Sequence, residues 1–137
     1  MKKCRWFSVS ELVSPDILKV VSEQACWNML APWIDQLDML RDLVGIPLWI
    51  NGRGKVDSGV RTLTCKIGAK KSRHKMIQKN VIAMDIKCRD MARLENVVRN
   101  NWAKLGIVRI ENPKITVSWL HVEFCSMGSP RLVVFDP

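Results

Sequence analysis

The chain of 137 residues has two histidines, His74 in "SRHK" and His121 in "SWLHVEF". Asp85 stands between them in "VIAMDIK". Both "VIAMDIK" and "ITVSWLHVEF" are rich in apolar and β-branched residues and predict strands. Alternation along a strand then puts Asp85 on one face with Ala83 and Lys87, and His121 on one face with Trp119 and Glu123. An aspartate in an apolar strand is costly to bury unless it is paired or holds a metal. Two neutral imidazoles and one carboxylate leave a coordination position open, which is the pattern of a catalytic zinc site rather than a structural one. Each residue taken singly also has a plainer reading, as a satisfied core histidine or as turn chemistry. Cys125, on the strand face of His121, and Cys88, three residues past Asp85, are rival ligands because thiolates bind zinc well.

The elements that must position these residues are legible from caps and periodicity. "FSVSEL" has the Ser8–Glu11 spacing of a capping box and predicts a short helical turn. "SPDILKVVSEQ" predicts a helix with Ser14 as cap, Pro15 at its first position and Asp16 in its first turn. In "APWIDQLDMLRDLVG", Trp33, Ile34, Leu37, Leu40, Leu43 and Val44 recur at helical spacing, with Gly45 as the stop. "PLWI" (47–50) predicts a short strand, and 51–79 a long loop with at most one short helix; loops of that length are usually functional or disordered. "RDMARLENVVRNNWAKLG" is a second amphipathic helix, capped by Asp90 and ended by Gly106. "GIVRIE" and "LVVF" add strands, with "ENPK" and "SMGSP" as turns. Helices precede a small antiparallel sheet, so the expected class is α+β in one domain over 1–137.

Composition narrows the function classes. The apolar content is that of a folded protein. No apolar run approaches membrane-spanning length, so no transmembrane segment is expected. The opening "MKKCRWFSVSEL" is basic but has no apolar stretch behind it, which predicts no secretory signal. Five scattered cysteines without a C-x-x-C pair argue against a disulfide framework and a cysteine-rich zinc site. The net charge is +9, and between Asn51 and Arg89 eleven Lys or Arg meet only Asp57 and Asp85. The rest of the chain balances, so the whole excess surrounds His74, as a solvated face or as a field that gathers an anionic partner. That stretch has no interleaved aromatics between Trp49 and Trp102, so it lacks the stacking platforms of a nucleic-acid binder.

Five segments in order resemble one family. "FSVSEL" (7–12), "SGVR" (58–61), "SRH" (72–74), "AMDI" (83–86) and "WLHV" (119–122) are similar to motifs of the zinc D-Ala-D-Ala carboxypeptidase and L-alanyl-D-glutamate endopeptidase superfamily. That superfamily has the hedgehog-type fold, and the chain looks most like its small phage members. The resemblance implies His74, Asp85 and His121 as Zn2+ ligands on a small antiparallel sheet packed by helices. It also implies an arginine that grips a substrate carboxylate or orders the site. Arg61 matches this arginine by lettering and Arg53 by its place after the strand. The sequence departs from the pattern in two ways. The family aspartate follows its histidine by seven residues, whereas here the gap is eleven, consistent with a four-residue insertion within "KMIQKN". The catalytic base usual three residues before the last histidine is here Ser118.

The implied activity is hydrolysis of a peptide bond in peptidoglycan, by an endolysin or a wall hydrolase carried in a phage virion. Such a protein is made in the cytoplasm and needs no signal peptide. Its base must then be another acid. Glu123 is favoured because the strand fixes its direction beside His121, and Glu111 is the next candidate. The competing reading is a zinc-containing binding or structural module that has lost its base.

Overall fold

The computed structural model describes residues 1–52, 57–62, 72–76 and 78–137. Serine caps shape its first half. Ser8 precedes α1 (Val9–Leu12), and the Glu11 carboxylate accepts the Ser8 N–H at 2.8 Å, the expected capping box. Ser14 and Pro15 open α2 (Pro15–Leu18). The single helix expected over 14–24 is broken, because Ser22 starts a new one, α3 (Glu23–Leu30). Its hydroxyl accepts the Ala25 N–H at 3.2 Å and so acts as a second N-cap. A 3₁₀ turn (Ala31–Trp33) leads into α4 (Ile34–Val44), which ends at a left-handed Gly45.

The second half follows as β1 (Val81–Ile86), α5 (Met91–Leu105), β2 (Ile107–Glu111), β3 (Leu120–Cys125) and β4 (Val133–Phe135). Asp90 caps α5 and Gly106 ends it, as the sequence predicts. β3 begins later than "ITVSWLHVEF" suggests because Asn112 holds the chain in a turn. Its carbonyl accepts the N–H groups of Ile115 and Thr116, and its side chain accepts that of Lys114. "PLWI" is not a full strand: it makes one bridge, Trp49 opposite Lys87.

The strands form one sheet in the order β1-β3-β2-β4. β3 runs antiparallel to β1 and β2, but β4 is parallel to β2, so the expected antiparallel sheet is mixed. The cause is topological. Both edges of β3 are taken by β1 and β2, and the outer edge of β1 is met by Trp49 and Ser58, so the returning chain pairs at the free edge of β2 and runs parallel to it. One face of the sheet carries Ile82, Met84, Ile86, Leu120, Val122 and Phe124 into the hydrophobic core, which also contains Leu37, Leu40 and Val44 of α4 and Leu94, Val98 and Leu105 of α5. Asp85, His121 and Glu123 alternate onto the other face. A bulge between Ile107 and Arg109 gives β2 one extra residue. It lets Ile107 and Ile110 both stay buried while Arg109 and Glu111 join the face of His121.

Residues 57–61 are pinned between the helices and β1. Buried Asn51 donates to the carbonyls of Val13 (2.8 Å) and Ser10 (3.3 Å) and accepts the N–H groups of Ser58 (2.9 Å) and Gly59 (3.3 Å). Val60 N–H donates to Leu12 O, Ser14 N–H to Val60 O, and Asp85 N–H to Ser58 O, each at 2.8 Å. Arg61 N–H donates to the carbonyl of His74 at 2.8 Å. This places the 3₁₀ turn Arg73–Lys75 beside the sheet. Among the described residues no helix is long and apolar enough to cross a membrane, and Cys4, Cys26, Cys88 and Cys125 are free thiols. Cys65 lies outside the described residues.

Close approach makes Gly59 a sensitive position: a Cβ there would stand 2.1 Å from the carbonyl oxygen of Leu12, a backbone atom that cannot swing away. Gly59→Ala is expected to cost about 1–3 kcal/mol of stability, as overpacking does. Chemical denaturation measures this, and an unchanged midpoint would show that the 57–61 segment is not wedged against α1.

Candidate metal centre

Antiparallel register sets Asp85 directly opposite His121 on β1 and β3. The turn at 73–75 brings His74 over the pair. His74 Nε2 lies 3.1 Å from His121 Nδ1 and 3.2 Å from Asp85 Oδ1, and His121 Nδ1 lies 2.9 Å from the same Oδ1. The two rings meet edge to face. Both histidines are buried, and Asp85 is only partly exposed.

The outward nitrogens fix the tautomers. His74 Nδ1 is 3.0 Å from the carbonyl oxygen of Gly59, which can only accept, so Nδ1 carries the hydrogen and Nε2 presents its lone pair. His121 Nε2 is 3.2 Å from Glu123 Oε1, so it donates outward and Nδ1 presents its lone pair inward. Two lone pairs and a carboxylate oxygen therefore converge within 3.2 Å of one another. Such a cluster of acceptors is held together by a cation, either a proton or a metal ion. Tetrahedral bonds of 2.0–2.1 Å place neighbouring ligand atoms about 3.3 Å apart, close to these separations. Among the described residues these three form the one group of His, Cys, Asp and Glu suited to hold a metal ion. Imidazole and carboxylate donors suit a divalent transition metal. Neither rival thiol belongs to the group. Cys88 Sγ donates to Asp90 O at 3.0 Å, and Cys125 stands four residues along β3 from His121, roughly 13 Å away.

Charged groups surround the trio. Glu123 is 2% exposed and lies on the His121 side away from the converging atoms. Arg73 Nε stands 3.1 Å from its Oε2 and Arg109 Nη1 3.9 Å from its Oε1. Arg61 is buried, donates through Nε to Asp57 O and places Nη2 3.5 Å from Asp85 Oδ2. It braces the carboxylate from behind. Arg53 lies outside the described residues. Ser118 is exposed in the bend before β3. A cleft of about 580 Å³ opens over the trio, and Arg109, Glu111, Trp119, Phe135 and Asp136 are among its lining residues. Sequence reasoning missed Arg73, Arg109 and Phe135. Arg109 could not be assigned to this face, because the bulge that turns it leaves no mark in the alternation of "GIVRIE".

Without a bound ion, burial pushes the Asp85 carboxyl up and the protonated His121 ring down. The hydrogen bonds outweigh burial in both. Contacts with His121 and His74 hold Asp85 well below the usual carboxylate range, and contacts with Asp85 and Glu123 raise His121 from 6.5 to about 9. A metal must displace that proton, so its uptake at neutral pH releases acid.

Two outcomes are expected. In chelator-treated protein, the contribution of His121 to stability is complete below pH 6.5 and is lost as pH rises through about 9. The contribution of Asp85 is present above pH 3.8 and is lost as pH falls toward its depressed value. The melting temperature of the metal-free protein should therefore fall between pH 6.5 and 9, and a rise across that window would contradict the pairing. For the metal itself, His74→Ala and His121→Ala should lose stoichiometric uptake. Glu123→Gln, which weakens the acceptor on His121 Nε2, should retain the metal with an affinity about ten- to a hundredfold lower. Competition with a chromogenic chelator reads both, and wild-type affinity in Glu123→Gln would remove the orienting role.

Comparison with family models, with curated proteins and with solved structures gives no match, so the functional reading rests on the residues of this site.

Proposed function

We propose that the chain is a zinc-dependent peptidase of the hedgehog-type metallopeptidase superfamily that cleaves a peptide bond in peptidoglycan, as an endolysin or a virion-carried wall hydrolase. The observation that carries this reading is the convergence of His74 Nε2, Asp85 Oδ1 and His121 Nδ1, with both outward ring nitrogens already bound. The five motif segments in order give it a family. The α+β class agrees with the resemblance; Asp85 and His121 project from the sheet face opposite the core, and His74 reaches them from the 73–75 turn.

When bound, zinc supplies Lewis-acid polarisation of a carbonyl and activation of water. The chain's own residues do the rest. His74, Asp85 and His121 would hold the ion, and Gly59 O and Glu123 keep the two rings in the required tautomers. Arg61 stands 3.5 Å from the outer oxygen of Asp85 and helps to orient that carboxylate. Proton transfer needs a carboxylate that reaches the cleft. Glu123, the acid first favoured, also lines the cleft but is committed to His121 and is almost fully covered. Glu111 suits the role better. Arg109 pairs with Glu123 and Ile110 with Val122, and extending that register by one residue sets Glu111 beside His121. The Thr116 hydroxyl donates to its Oε1, which leaves the other oxygen for a water in the cleft. The basic stretch around His74 would draw the enzyme to the polyanionic wall.

The position of Ser118 favours a second reading, a zinc-containing binding module, since that residue is exposed and cannot act as a base. Digestion of purified sacculi, followed by mass spectrometry of released peptides, separates the two. The peptidase reading expects new termini that vanish with chelator and return with zinc. Glu111→Gln should then lower turnover by roughly two to four orders of magnitude with zinc still bound. Stoichiometric zinc with no released peptide from wild type would leave the binding module.

A further inference from the structure

We infer that Arg109 is the receptor for a carboxylate of the bound ligand and sets the cleft's preference for acidic peptides. The ligand's identity as a peptide rests on the reading above; the contact itself rests on the geometry of this arginine.

The three described cleft arginines differ in what they already hold. Arg61 is spent on Asp57 O and Asp85. Arg73 is paired with Glu123 Oε2 at 3.1 Å. Arg109 lies over the ring of Phe135, with its guanidinium carbon 4.0 Å from the ring centre. Its Nη1 is 3.9 Å from Glu123 Oε1, beyond hydrogen-bond distance, and that oxygen already accepts from His121. Its Nε is buried and has no hydrogen-bond partner. That atom is covered, but the side chain as a whole is 30% exposed and lines the cleft, and among the described residues its terminal nitrogens make no hydrogen bond, so they are the donors a ligand meets.

The other acids lining the cleft do not serve Arg109. Glu111 accepts from Thr116, and Asp136 accepts from Asn112 at 2.9 Å. The ring of Phe135 also packs edge-on against His121, with centroids 5.7 Å apart, so the arginine and the metal trio share one wall of the cleft. The bulge in β2 turns Arg109 onto this face, and the strand then fixes its direction. A planar guanidinium seated on an aromatic ring keeps its edge donors in a fork, which matches the two oxygens of a carboxylate. A ligand whose scissile bond lies at the trio would thus place a neighbouring carboxylate at Arg109.

Calorimetric titration of the zinc-loaded full chain tests this with two probes, a synthetic stem tetrapeptide with free carboxylates and the same peptide fully amidated. Wild type is expected to bind the free acid about ten- to a hundredfold more tightly, the range of a charge-assisted hydrogen bond. Arg109→Gln should lose that discrimination with zinc content unchanged. Arg109→Lys, which keeps the charge and most of the packing, should recover only part of it. Equal binding of both probes by wild type, no binding of either, or wild-type discrimination in Arg109→Gln would overturn the inference. Parallel assay on sacculi keeps the two readings apart. Discrimination through Arg109 without any cleavage would sink the peptidase reading and leave the contact. Cleavage with an unchanged KM in Arg109→Gln would do the reverse.

Discussion

Two imidazole lone pairs and one carboxylate oxygen, held about 3 Å apart, are an arrangement that repels itself unless a cation sits among them. Much of the structure outside the core maintains that arrangement. The mutual register of β1 and β3 sets Asp85 against His121. The carbonyl of Gly59 turns His74, and the Glu123 carboxylate turns His121. Each of these supports is itself held, Gly59 by Asn51 and the end of α1, and Glu123 by Arg73. Burial adds leverage, because every charge interaction strengthens when water is excluded.

The supports are of unequal kind. On the His74 side they are backbone groups, set by the packing of 57–61 between helix and sheet, and so they do not titrate. On the His121 side they are charges, in which one buried carboxylate serves a ring and is paired with Arg73. Removing one partner from such a cluster leaves an uncompensated buried charge, which typically costs about 3–5 kcal/mol. The His121 side is thus the one where a substitution changes both fold stability and metal affinity, whereas the His74 side transmits changes only through backbone position.

The sequence revealed parts of this and concealed others for physical reasons. Asp85 and His121 were readable as strand residues on definite faces because alternation is local. Their pairing was not readable, since register between β1 and β3 is a long-range property. The helix stops at Gly45 and Gly106 were plain, but the break at Ser22 was hidden inside a stretch that is apolar enough to continue a helix. Glu123 was placed on the correct face beside His121, yet which ring nitrogen it meets depends on a side-chain angle that spacing does not encode. The mixed sheet and the bulge in β2 follow from which edges were free and from how Ile107 and Ile110 both reach the core. Arg109 therefore came into view only with the fold. Arg53 and much of the basic stretch lie outside the described residues.

X-ray absorption at the zinc edge of the protein, after incubation with excess zinc and removal of unbound metal, examines the trio most directly, because it reads the ligand atoms themselves. One zinc per chain is expected, with a shell of nitrogen and oxygen at about 2.0–2.1 Å and the multiple-scattering signature of two imidazoles. A sulfur shell near about 2.3 Å, or uptake well below one ion per chain, would contradict His74, Asp85 and His121 as a zinc site.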